Sequence, residues 1–163
     1  MELFQNSAGS LDASTRLWIH GETDQLPTSL HYACFLGILP VIQALCSRRS
    51  VVRDMLNAQC DDHGTPLEIA AGMGQEDVVR LLLNKGANPN AKNAARKTSP
   101  LIRASANGHL GTVQCLLDAG ARVNNATTMH SQTALTAAAA AGHVDIMRLL
   151  LLRGARADTT TLI

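Results

Sequence analysis

The chain has 163 residues, 46% of them hydrophobic and 17% charged, a balance that excludes a disordered tail and belongs to a folded domain. A formal charge of +1 provides no general attraction for nucleic acid or an anionic membrane. The aromatic residues are Phe4, Trp18, Tyr32 and Phe35 alone, so a core beyond residue 35 must be built from Ala, Leu, Val and Ile, which favours helices.

In chain order, the opening MELFQNSAGSLDASTR has no basic start followed by a long apolar run. The expectation is a protein without a secretory leader, intracellular and cytoplasmic. Residues 10–20, SLDASTRLWIH, read as an amphipathic helix with Leu11 and Trp18 inward and Gly21 as its stop, a cap occupying residues 1–27. A periodic region follows. TSLHYACFLGILPVIQALC starts at Thr28 and TPLEIAAGMGQEDVVRLLLNKGANPN at Thr65. SPLIRASANGHLGTVQCLLDAGARVN starts at Ser99 and TALTAAAAAGHVDIMRLLLLRGARAD at Thr133, each 34 residues after its predecessor. A fixed period of this length marks an array of small units that bury their apolar faces on one another.

Each copy places the same chemistry at the same offset. Thr28, Thr65, Ser99 and Thr133 are hydroxyl residues suited to cap a helix N-terminus, and Pro66 and Pro100 suit its first turn. Nine residues on stand Gly37, Gly74, Gly108 and Gly142, which end that helix in a left-handed conformation. A second helix then begins, burying Val78, Val79, Leu81 and Leu82, or Val113, Leu116 and Leu117, or Ile146, Leu149 and Leu150. Arg80, Gln114 and Arg148 turn outward. Small residues of the first helices (Ala70, Ala71, Ala104, Ala137, Ala138, Ala139) let neighbouring units approach closely. The five alanines before Gly142 and the four leucines after Arg148 are therefore one ordinary unit of the array. They are not a membrane span, since no run approaches the roughly 18 to 20 apolar residues required.

The pattern TPL…A…GH…VV..LL…GA over residues 28–158 resembles the ankyrin repeat family. The resemblance implies an all-α solenoid: a curved stack of helix-turn-helix pairs with projecting hairpin-like loops. The expected organisation is a capping helix (1–27), an irregular repeat 1 (28–64), repeat 2 (65–98), repeat 3 (99–132) and repeat 4 (133–163), the last cut from a longer array. The copies at Thr28 and Thr133, with the Trp-containing helix before them, are also similar to the ankyrin tails of large fungal multidomain proteins of the nucleotide-binding receptor type. Departures stand beside the resemblance. Repeat 1 keeps the family's histidine as His31 but replaces the Gly-Ala closure with SRRSVVRDMLNAQC, which predicts either an extended second helix or a short extra one around residues 51–56. Glu68, Ile102 and Thr136 stand where that histidine would recur, altering the local hydrogen bonding. Leu152 aligns with Asn84 and Asp118 and is expected at the surface.

No catalytic constellation or phosphate-binding loop is present, and the protein reads as no enzyme, with no cofactor and no metal. His109 and His143 share one repeat offset and are read as structural. Asp61, Asp62 and His63 read as a solvated turn. Cys34, Cys46, Cys60 and Cys115 are irregularly spaced and read as buried thiols. The basic groups Arg48, Arg49, Arg53 and Lys92, Arg96, Lys97 lack aromatic stacking neighbours, which favours a solvated face or an acidic protein partner over nucleic acid.

What remains is surface. The family resemblance implies binding by the loop tips and the late positions of the first helices, which together line the concave side. Those tips are Asp61, Asp62 and His63, then Ala95, Arg96 and Lys97, then Met129, His130 and Gln132. The helix positions are Phe35 and Leu36, Gly72 and Met73, Ala106 and Asn107, Ala140 and Ala141. Phe35 and Met73 are the expected anchors and Arg96 the charged contact; alternatively, Phe35 and Leu36 pack against the N-terminal helix. The expected function is a non-catalytic protein-protein interaction module gripping another protein or another domain of its parent chain. The alternative is the sensing or regulatory region of a larger enzyme or receptor that binds a small molecule or nucleotide.

Overall fold

The computed structural model describes residues 28–47, 54–60, 63–93, 98–126 and 132–157. The proposed cap at residues 10–20 lies outside them, as do Arg48, Arg49 and Arg53. The described residues form α1 (Ser29–Leu36), α2 (Leu39–Cys46), α3 (Pro66–Gly72), α4 (Glu76–Asn84), α5 (Pro100–Ala106), α6 (Leu110–Asp118), α7 (Ala134–Ala141) and α8 (Val144–Leu152). None exceeds nine residues, too short to persist alone in water, so stability has to come from stacking.

The hydroxyl residues start the first helix of each pair. The Thr65 side chain accepts from the Glu68 amide at 3.2 Å, Ser99 from Ile102 at 3.4 Å and Thr133 from Thr136 at 3.2 Å, each satisfying an otherwise orphaned N–H. Thr136 returns the favour, its hydroxyl accepting from the Thr133 amide at 2.8 Å. Turns at Gly37, Gly74, Gly108 and Gly142, all with φ between 67° and 81°, reverse the chain. The second helix starts two residues later.

Pairs stack in sequence order: α1, α3, α5 and α7 form one layer and α2, α4, α6 and α8 the other. Their shared interior runs the length of the stack. Ala70, Ala71, Ala104 and Ala138 have no exposed surface, which permits close helix approach, while Ile42, Leu82, Leu116 and Leu150 fill the space between the layers. Each such side chain contributes about 2 kcal/mol by leaving water. Ala139 departs from the expected sandwich: it is exposed, because no further helix stacks on α7 on that side among the described residues. Leu152 is 84% exposed.

In the irregular segment α2 stops at Cys46, with Ser47 as its cap. Residues 54–56 are helical, apart from α2, and bury Leu56. The loop then closes through paired backbone bonds between Cys60 and Gly64, at 3.0 and 2.8 Å. All four cysteines are buried free thiols, and burial pushes the Cys34 thiol up to about 12, far from the thiolate needed for reactivity. Among the described residues, no helix is long and apolar enough to cross a membrane.

Candidate partner-binding face

The ends of α1, α3, α5 and α7 are tied together by a ladder of side chains. Gln75, His109 and His143 occupy the same offset, immediately before or at the start of the second helix, and each reaches back to the preceding layer. Gln75 Nε2 donates to Phe35 O at 3.3 Å, His109 Nε2 to Gly72 O at 3.0 Å and His143 Nε2 to Ala106 O at 3.1 Å. Asn107 Nδ2 donates to the same Gly72 carbonyl at 2.7 Å. The two imidazoles lie directly over glycines. A Cβ at Gly74 would stand 2.5 Å from His109 Nδ1, and one at Gly108 2.6 Å from His143 Cε1. These positions are glycine for two reasons, a left-handed backbone and a ring in van der Waals contact.

A second ladder runs through the loops. Asn57 Oδ1 accepts from the Asn88 amide at 2.9 Å, Asn90 Oδ1 from Arg122 at 2.8 Å and Asn124 Oδ1 from Arg156 at 2.9 Å. Asn90 and Asn124 also donate to Gly120 O and Gly154 O, both at 3.1 Å. The asparagines recur at the repeat spacing, the signal that would have marked them in the sequence.

A third set of cross-links lies at the start of the first helices. His31 is buried, its Nδ1 accepting from the Thr28 amide at 3.0 Å and its Nε2 donating to Gly64 O at 3.0 Å. Desolvation lowers its pKa from 6.5. One layer on, the fully buried Glu68 accepts from the Thr98 hydroxyl and lies 3.8 Å from the Arg103 guanidinium. Ile102, at the same offset, is simply buried.

With backbone and loops so tied, the side chains left outward at the first-helix ends form one row. Phe35 is 51% exposed, Leu36 63% and Met73 49%, while Gly72 is buried and Asn107, Ala140 and Ala141 are exposed. His63 is half-buried beside this row, its carbonyl accepting from Arg103, and Gln132 is exposed. Asp61, Asp62, Arg96, Lys97, Met129 and His130 lie outside the described residues. Arg103 is the group that residue-by-residue reading passes over.

The family description "Ankyrin repeats (3 copies)" matches residues 6–93 and 91–161. The chain belongs to the ankyrin repeat family. Over 95 residues it is 38% identical to the transient receptor potential cation channel subfamily A member 1 homolog of Caenorhabditis elegans, covering 58% of this chain and 7% of that protein. Over 68 residues it is 35% identical to CAP-Gly domain-containing linker protein 3 of Xenopus laevis, covering 40% of this chain and 12% of that protein. It thus spans a small part of the length of these relatives.

Proposed function

We propose that this ankyrin array is a non-catalytic module that grips another protein, or another domain of its parent chain, in a groove between the loop tips and the ends of α1, α3, α5 and α7. Ankyrin repeats in general bind other proteins and are typically non-catalytic. The observation carrying the reading is the row Phe35, Leu36 and Met73, each about half or more exposed on a backbone cross-linked by Gln75 and His109. Large apolar side chains presented on a fixed frame are the usual anchors of an interface, because little ordering entropy is lost when they are covered. In this reading repeats 28–64, 65–98, 99–132 and 133–163 are the successive layers, and Asn107 and Gln132 extend the contact past Met73.

Site-specific photocrosslinking tests this. A photoreactive phenylalanine in place of Met73 is expected to label a discrete protein partner in extracts of the source cells, whereas the same group replacing the outward Arg80 is not. Equal labelling from both positions, or none from position 73 in a protein that still melts cooperatively, rules the groove out.

A further inference from the structure

Among the described residues of the first helices, α1, α3, α5 and α7, only Glu68 and Arg103 carry formal charge at neutral pH. Their positions are unequal. The Glu68 side chain has no exposed surface, whereas 29% of the Arg103 side chain is exposed. Arg103 Nη1 donates to His63 O at 3.3 Å and stands 3.8 Å from Glu68 Oε1, an oxygen that also accepts from Thr98. The Arg103 side chain lies across the end of α3, where a Cβ on Gly72 would be 3.2 Å from Nε. Gly72 leaves room for the guanidinium, and Met73 is the next residue along. The acid is therefore underneath and the cation on top, and a molecule approaching the row meets positive charge beside an exposed apolar surface.

We propose that Arg103 is a specificity-determining residue of this face, and that its partner is a protein segment carrying a carboxylate next to an aliphatic or aromatic side chain. The proposal rests on the protein-binding reading above and names the class of partner. The carboxylate pairs with Arg103 while the apolar side chain covers Met73 and, further along, Phe35 and Leu36. Arginine suits this role because its planar fork meets a carboxylate in two parallel hydrogen bonds. Its contacts to His63 O and Glu68 hold that fork in place beforehand, lowering the ordering cost of binding. The negative charge of Glu68 offsets part of the cation, which matches a singly charged carboxylate better than a dianionic phosphate.

The test is a random-peptide display selection against the full chain, followed by affinity measurements on the synthesised winners. Peptides with Asp or Glu near an aromatic or aliphatic residue are expected. Replacing that Asp or Glu by its amide should weaken binding about tenfold in the wild type, the 1.4 kcal/mol that one such contact represents. The same change should have little effect in an Arg103→Ala/Glu68→Gln variant, which removes both charges together and so avoids leaving the buried Glu68 carboxylate without this cation. Arg103→Lys should recover part of the affinity. Winners lacking carboxylates, or an amide effect of equal size in wild type and variant, overturn the role of Arg103. The protein-binding reading survives that result provided Met73→Ser still weakens binding. No enrichment at all, or winners indifferent to Met73→Ser, overturns both.

Discussion

His31 and Glu68 hold the same place in successive layers, the third residue of a first helix, and each answers the burial of a polar group differently. Burial favours the neutral form of His31, lowering its pKa, while Nδ1 faces the Thr28 N–H and hydroxyl and Nε2 the Gly64 carbonyl. Because burial lowers its pKa below 6.5, the unfolded chain binds more protons at this site than the folded one once the pH drops through that value. Its contribution to stability is then complete above about pH 6.5 and is lost as the pH falls toward the folded pKa. The wild type is expected to lose more melting temperature between pH 7.5 and pH 5.5 than a His31→Gln variant measured in parallel; equal losses refute the assignment. Glu68 instead remains within reach of a cation, Arg103. That arginine is not legible in the sequence, because it does not repeat. Its offset holds Tyr32, Ile69 and Ala137 in the other layers, and a reading built on periodicity selects what recurs.

Between elements, recurrence is a good guide. Hydroxyl caps, left-handed glycines and apolar second helices are local chemistry, set by residues within a few positions of one another, and so the eight helices can be read directly from four aligned copies. The asparagine ladder is periodic too, but its meaning is tertiary: the side chain of Asn90 serves the backbone of Gly120 and Arg122, about thirty residues away. Asn90→Ala removes both bonds at once. Given the solvent exposure of the site, the expected loss is about 1–2 kcal/mol, read as a lowered urea midpoint with an unchanged slope. Asn90→Asp keeps the acceptor for Arg122 N–H and loses the donor to Gly120 O, so its midpoint should fall between the other two. An aspartate variant as weak as the alanine one would show that the amide donor carries the whole link.

At the scale of the molecule, the described helices of each repeat pack chiefly on those of the adjoining repeats, and the repeats are not equivalent. Ala139 is open to solvent where Ala71 and Ser105 are buried, and Leu151 is 48% exposed where the matching Leu117 is 9%. The α7–α8 layer therefore has the weaker support. Native-state hydrogen exchange should show α8 amides opening at lower free energy than those of α4 and α6; uniform protection along the array would contradict a layer-by-layer description. The candidate face is less legible than the fold, for a physical reason. Exposure of Phe35 or Met73 depends on what covers it, and one chain's periodicity reports its interior rather than its surroundings. The cross-links described for Gln75, His109, His143 and the asparagines run only from one layer to the next. Stretched by its two ends, a stack with no tie among its described residues that spans its full length should give way in steps, one repeat at a time, and behave as a soft spring rather than a rod that snaps.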